Sequence, residues 1–183
     1  MSVSEEVVLL DEDGRATGTA SKISVHGIDT PLHLAFSCHV LNARGEVLVT
    51  RRALTKLTWP GVWTNSFCGH PQPGEDMADA VKRRAAFELG LEISQLSLEL
   101  PDFRYRAVDA SGIVENEICP VFIARADVDP QLNPHEVVDS KWATPDTVAA
   151  ALTATPWAFS PWLVLQAQQL RLFTEALTHA DAS

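Results

Sequence analysis

The sequence predicts an α/β (α+β) fold, a mixed β-sheet flanked by helices, and three observations carry that expectation. Runs with an apolar period of two come in pairs joined by short polar turns, a helix lies between two such pairs, and the remaining helix signals gather near the C-terminus. The 183 residues suit one domain over 1–183, since a chain of this size buries roughly 70% of its unfolded surface.

Val7 to Leu10 reads as a short strand closed by the turn Asp11 to Gly14, and an irregular polar stretch containing Lys22 and His26 follows. From Leu32 to Leu41 the residues alternate, with Leu34, Phe36, Cys38 and Val40 on one face and His33, Ala35, Ser37 and His39 on the other. This predicts a strand with two usable faces. Asn42 to Gly45 supplies a hairpin turn into a second strand, Glu46 to Arg51. Ala53 to Ser66, which holds two Trp and a Pro-Gly, is expected as a long ordered loop whose length points to a functional role. A helix is predicted over Met77 to Leu89, with Arg84 and Glu88 on one face and Gly90 as its stop. After a connecting segment come a strand, Phe103 to Val108, the turn Asp109 to Gly112 and a long strand, Ile113 to Ala126. The acidic loop Asp127 to Pro134 leads to a strand over Val137 to Ala143. Thr144-Pro145 and Ser160-Pro161 each carry cap and first-turn chemistry, for a short helix and for a final one of about four turns reaching Leu177.

The net charge of −10 disfavours a nucleic-acid or anionic-membrane partner, either of which needs a basic face. Yet six of the fourteen cations, Arg51, Arg52, Lys56, Lys82, Arg83 and Arg84, fall close to one loop and helix. That concentration fits a held small anion, while solvated surface charge is the plainer reading. The N-terminus lacks the basic start and apolar core of a signal peptide, and no apolar run approaches a membrane span, so a cytoplasmic protein is expected; a monomer is the expected state. Cys38, Cys68 and Cys119 make an odd set without framework spacing, so reduced thiols are expected, with Cys38 and Cys119 as strand core.

Glu115 and Glu117 stand two apart on a predicted strand and so share one side of the sheet. Paired carboxylates repel unless something cationic sits between them. A metal would do that, and His26, His33 and His70 offer imidazoles to complete a site. Taken singly, each histidine also reads as an ordinary hydrogen-bonded residue, and no zinc-finger or metalloprotease spacing links them.

Gly69, five residues, Glu75, seven residues, Arg83, then Ala85, Glu88, Gly90 and Leu91 resemble the Nudix box. Two of that box's glutamates are missing, with Arg84 and Phe87 in their places. In that family these helix carboxylates are understood to hold the ions that activate water, so the resemblance implies a diphosphate binder more than a hydrolase. Read without it, the stretch is an amphipathic helix with an Arg84–Glu88 surface pair.

The resemblance becomes narrower over Leu32-His-Leu-Ala-Phe-Ser, Trp59-Pro-Gly-Val-Trp-Thr-Asn-Ser-Phe-Cys-Gly-His-Pro, Tyr105-Arg-Ala, Ser111-Gly-Ile-Val-Glu-Asn-Glu and Thr155-Pro-Trp-Ala-Phe-Ser-Pro-Trp162. These runs look like the type I isopentenyl diphosphate isomerases, the non-hydrolytic branch of the Nudix fold, and the similarity covers nearly the whole chain. It implies a Nudix-like sheet between helices, with about 1–30 as an N-terminal extension contributing to the site and about 178–183 as a tail. It implies Cys68 and Glu117 as the groups that exchange protons with the substrate, with Tyr105 beside the glutamate. Glu117 is then expected as acid to the alkene and Cys68 as base, roles that swap in the reverse direction. It further implies a first metal, manganese or zinc, on His26, His33, His70, Glu115 and Glu117. A second, magnesium on the substrate diphosphate, would be met by Glu88. Lys22, Arg52, Lys56 and Arg84 would bind the diphosphate, and Trp162 would face the carbocation, while Trp142 and Trp157 are expected as plain core. The competing expectations are a Nudix-type diphosphohydrolase, which Arg84 and Phe87 disfavour, and a binding module, which leaves Cys68, Tyr105 and Glu117 without a joint purpose.

Overall fold

The structure is a computed structural model and describes residues 5–180. Its strands form two mixed sheets rather than one. Strands β1 (Glu6–Leu10), β2 (Ala16–Ser21), β3 (His33–Leu34), β9 (Arg104–Val108) and β10 (Val114–Ile118) make the first, in the order β2-β1-β3-β10-β9. The second contains β4 (Phe36–Leu41), β5 (Val47–Arg52), β8 (Ser94–Leu100), β11 (Val121–Arg125) and β12 (Val137–Ala143), in the order β12-β5-β4-β11-β8. Short β6 (Trp63–Thr64) pairs with β5, and β7 (Phe67–Gly69) with β4.

The second sheet arises because two strands that read as continuous each break once. The run 32–41 divides at Ala35 into β3 and β4, and 113–126 divides at Cys119-Pro120 into β10 and β11. Pro120 has no N–H to give a ladder, and its carbonyl accepts from Ser37 N instead. The breaks lie side by side, with Ala35 N donating to Ile118 O, so the parallel pair β3/β10 leaves the first sheet and continues in the second as β4/β11. Side-chain alternation holds within each piece. Phe36, Cys38 and Val40 enter one apolar cluster with Leu48, Phe67 and Phe122, while Val47, Val49 and Val121 face another.

Helix α2 (Met77–Leu89) covers the first cluster with Ala80, Val81, Ala85 and Leu89. Asp76 caps it, accepting from the N–H groups of Ala78 and Asp79, and Gly90 ends it at φ 60°, a left-handed conformation that glycine adopts without a Cβ penalty. Helices α3 (Pro145–Ala154), α4 (Pro161–Ala167) and α5 (Arg171–Ala180) pack on the second cluster through Val148, Leu152, Leu163 and Phe173, with Leu170 joining from the turn between α4 and α5.

Several local expectations change. The stretch before Lys22 is strand β2 followed by a helical turn, α1 (Lys22–Val25), and the segment after Leu91 contains β8. The final helix is two, because the chain turns at residues 168–170 and both Leu170 and Phe173 enter the core. Ser160 stands at the N-cap of α4 but bonds the Thr64 hydroxyl at 2.7 Å rather than the helix. Trp157 is 81% exposed, not core, because the 3-10 turn Pro156–Ala158 carries it outward. Trp142 is partly buried and donates its indole N–H to Asp129. Cys38 and Cys119 are fully buried thiols, as expected.

Candidate active site

Register places the site before any side-chain contact is considered. Glu117 on β10 lies opposite His33 of β3 on one side and Tyr105 of β9 on the other, so the three form one row across the first sheet. Cys68 on β7 lies opposite Ser37 of β4 in the second sheet. A cavity of about 610 Å3 is lined from both sheets and from α2. It is of a size suited to a small ligand.

Three imidazoles and a carboxylate converge on one side of it. His26, His33, His70 and Glu117 present ligand atoms all within 4.8 Å of one another. The ring centroids stand 5.0, 5.1 and 5.8 Å apart. His33 Nδ1 lies 2.9 Å from the Pro31 carbonyl, which fixes the proton on Nδ1 and leaves Nε2 as a lone pair turned inward. Glu117 receives His70 Nε2 at 2.9 Å and the Tyr105 hydroxyl at 2.8 Å. His26 Nε2, His33 Nε2 and His70 Nδ1 are buried without a hydrogen-bond partner, although His26 and His33 stand 3.2 and 3.3 Å from Glu115 and Glu117. The Nε2 atoms of His26 and His33, near carboxylates yet not hydrogen-bonded to them, fit a set of donors built around a divalent ion. Glu115 stands one step out, reached by His26 Nε2 and by the Thr58 hydroxyl at 2.6 Å.

Burial alone would raise the Glu117 carboxyl, but the imidazoles of His33 and His70 beside it outweigh burial and hold the group well below the usual carboxylate range. Burial likewise disfavours a charged His33, yet its contact with Glu117 raises it, whereas burial prevails at His70 and lowers it. Burial and the neighbouring Glu117 charge push the Tyr105 phenol well up. Burial also pushes the Cys68 thiol up to about 12, against the Ser37 hydroxyl at 3.2 Å. As folded, sulfur carries a proton and the Glu117 carboxylate does not.

The basic groups gather on the same cavity. Lys22, Arg52, Lys56 and Arg84 line it, together with Glu88 and Trp162. The Arg84–Glu88 pair is not a surface pair, since both residues are buried. Arg84 hydrogen-bonds Glu88, approaches Glu136 at 3.5 Å and lies 3.7 Å from Glu5. Lys56 pairs with Glu136 and Lys22 with Glu5. Arg52 donates to the carbonyls of Thr58 and Trp59, and its guanidinium lies 5.3 Å over the Trp162 ring. Trp162 is held by its N–H to Asn65 Oδ1 at 3.0 Å and by the Tyr105 ring at 5.7 Å. Two box residues fix the loop: Arg83 makes a two-pronged pair with Glu75, at 2.7 and 2.8 Å, and donates to the His70 carbonyl.

All the residues proposed from sequence thus meet around one cavity, with His33 just behind its wall. Glu5, Thr58, Asn65 and Glu136 were not singled out. Asn65 belongs to the conspicuous 59–71 run, but nothing in the spacing of Glu136 couples it to Lys56, eighty residues earlier.

Residues 31–163 match the family profile of the NUDIX domain. The isopentenyl-diphosphate Delta-isomerase of Agromyces mediolanus is 62% identical over 181 residues, covering 99% of this chain and 86% of the relative. The protein of the same name from Citrobacter koseri is 58% identical over 163 residues, covering 89% and 90%. Among solved structures, a Deinococcus radiodurans protein superposes with a TM-score of 0.71 at 21% identity, covering 91% of this chain and 99% of that one. A MutT protein from Methanosarcina mazei does so at 0.60 and 16%, covering 84% and 99%. These two likenesses speak to the fold alone.

Proposed function

The chain belongs to the isopentenyl-diphosphate Delta-isomerases of the NUDIX family, an isomerase that interconverts isopentenyl and dimethylallyl diphosphate, and we propose that Glu117 and Cys68 exchange the two protons of that reaction. The observation that carries the assignment is the Glu117 carboxylate, hydrogen-bonded to Tyr105, opening into the same cavity as the Cys68 thiol and four cationic side chains.

The reaction adds a proton to one carbon of an unactivated alkene and removes another from the neighbouring carbon. An alkene is a very weak base, so the acid must be positioned and the tertiary cation stabilised. Glu117, braced by Tyr105, serves as the acid in the isopentenyl direction and Cys68 as the base. The folded protein holds its proton on sulfur, which is the distribution left at the end of that direction and the starting one for the reverse. Trp162 offers its ring to the cation, a contact worth about 2 kcal/mol when desolvated. Its face already accepts the Arg52 guanidinium, and its N–H is tied back to Asn65, away from that face. Lys22, Arg52, Lys56 and Arg84 receive the diphosphate oxygens.

His26, His33, His70, Glu115 and Glu117 would hold a divalent ion, manganese or zinc by their mixed imidazole and carboxylate chemistry, and Glu88 would meet magnesium carried on the diphosphate. When bound there, such an ion would supply charge that offsets the two neighbouring carboxylates and would raise the acidity of a proton held on Glu117. Water activation for diphosphate hydrolysis is disfavoured by Arg84, a buried cation where the box has a carboxylate. The reading includes a cytoplasmic monomer acting on a small diphosphate. In its support, the protein is acidic overall while its cavity gathers cations, and among the described residues no helix is long and apolar enough to cross a membrane.

The test is proton NMR of isopentenyl diphosphate in heavy water with the purified protein, magnesium and manganese. Dimethylallyl product carrying solvent deuterium is expected. Inorganic phosphate from an otherwise unconverted substrate would instead establish the hydrolase.

A further inference from the structure

Beside Cys68 lies a row of polar side chains that the chemistry above does not use. Ser37 faces Cys68 across the β4/β7 ladder, and His39, two residues along the same strand, shares its face. Gln166 reaches in from α4 and joins them, with its Nε2 2.8 Å from Ser37 Oγ and its Oε1 3.0 Å from His39 Nε2. Ser37, His39 and Gln166 each have zero exposure. An apolar trio would fill the same space without burying His39 Nδ1, which has no partner. Packing alone does not account for them.

We propose that His39, Gln166 and Ser37 form a positioning relay that keeps the Ser37 hydroxyl hydrogen directed at the sulfur of Cys68. The proposal rests on the reading of Cys68 as a proton-exchanging group.

The direction of each bond follows from its donors and acceptors. Burial keeps His39 neutral, lowering it to about 4, so the ring has one N–H. With that hydrogen on Nε2 it is donated to the Gln166 carbonyl, and the atom left unpaired is a bare acceptor. The other tautomer would orphan a buried N–H, the rarer and costlier defect. A Gln166 carbonyl engaged by His39 turns the amide NH2 to Ser37, so Ser37 Oγ accepts there and must give its own hydrogen elsewhere. Two sulfurs are in reach, Cys68 at 3.2 Å and Cys119 at 3.4 Å. Cys119 is the farther of the two and lies buried in the apolar cluster, whereas Cys68 lines the cavity. Cys68 is the sulfur that carries negative charge when it has given up its proton, so the hydrogen bond strengthens on that side. The Cys68 thiol finds its own acceptor in Asn65 Oδ1 at 3.3 Å, which leaves its lone pairs for Ser37. Were the Gln166 amide reversed, its oxygen would draw the Ser37 hydrogen away and the sulfur would lose that donor.

The experiment is steady-state kinetics of the metal-loaded enzyme on isopentenyl diphosphate, with Ser37→Ala, Gln166→Met, their double variant, and each single change in a Cys68→Ala background. Folding is checked by circular dichroism. Ser37→Ala and Gln166→Met should each lower kcat about tenfold or more, the effect of one hydrogen bond to a charged group, with KM within about twofold. The double variant should be no slower than Ser37→Ala, because both remove the same donor. With Cys68 already Ala, neither change should lower the residual rate further. Should Gln166→Met fail to fold, Ser37→Ala with and without Cys68→Ala carries the same test. A dead Cys68→Ala beside fully active Ser37→Ala and Gln166→Met overturns the relay alone. Activity within tenfold of the parent in Cys68→Ala removes the acid-base reading, and the relay with it.

Discussion

His39 makes a measurable prediction about stability that is independent of catalysis. Its ring is fully buried, packed edge-on against Phe173 at 5.6 Å and bonded to Gln166, and neither neighbour can stabilise a second ring proton as a carboxylate would. Burial lowers the imidazole from an ordinary 6.5 to about 4. The unfolded chain therefore binds a proton at this residue over a pH range where the folded chain does not. The stability contributed by keeping His39 neutral is complete above 6.5 and is lost as pH falls towards 4. Between pH 7 and pH 5 the loss from this one group is about 2 kcal/mol by linkage. His39→Gln removes the titration, so comparing parent and variant cancels the carboxylates and the other histidines. Urea unfolding of both metal-loaded proteins at the two pH values should show the parent losing about 2 kcal/mol more than the variant. At a slope of about 2 kcal/mol per molar urea, that is a relative midpoint shift of about 1 M. An equal loss in both proteins would mean that His39 is charged or solvated in the folded state, and the reasoning from burial would be wrong.

Cys68→Ala and Glu117→Gln should each lower turnover by well over about 100-fold with the circular dichroism unchanged, and a rate within tenfold of the parent would remove that residue from the proton-exchange pair. Dialysis against a chelator should abolish activity and manganese or magnesium should restore it; full activity in a preparation shown metal-free by elemental analysis would dismiss the histidine and carboxylate site. Gly69→Ala would put a Cβ 2.7 Å from Arg84 Cγ and 2.8 Å from Phe36 Cζ. It should cost about 1–3 kcal/mol in thermal unfolding and raise KM by displacing Arg84, and a variant matching the parent in both would show that the helix can move aside freely.

Much of the fold could be read because its alternation is local. Phe36, Cys38 and Val40 point one way and Ser37 and His39 the other, as the period of two predicts. The division into two sheets was harder, since Ala35 is no breaker by type and only its partner strand carries a signal, Pro120. β2 has Thr, Gly and Ser where a half-buried strand would show an apolar face, so its strand character comes from pairing with β1. In β8, by contrast, Leu96, Leu98 and Leu100 already carry the period of two. The site was legible in its residue types and not in its spacing. His26, His33, His70 and Glu117 lie on four separate elements or loops, and only pairing across β3, β10 and β9 brings the row together. Resemblance supplied what periodicity could not. Glu136 and Gln166 show the remainder: their roles depend on partners far away in the chain, Lys56 and Arg84 for the one and His39 for the other, a relation no local pattern encodes.

The departures from the box have a common physical consequence. A helix face that presented several carboxylates would repel itself and draw ions to α2. Here the same face presents one carboxylate, Glu88, already hydrogen-bonded to the cation one turn before it. That cation fits because Gly69 has no side chain: a Cβ there would collide with the Arg84 stem. Arg84 is also approached by Glu136 and Glu5, which pair with Lys56 and Lys22, so the charges where α2 meets the cavity are balanced rather than acidic. The donor set with no internal cation lies elsewhere, on the first sheet and its flanking loops, where His26, His33, His70 and Glu117 converge. On the proposed assignment, the proton chemistry belongs to a carboxylate and a thiol on two different sheets, away from α2. The same break at Ala35 and Pro120 that divides the strands sets those groups apart, leaving room for a substrate between them.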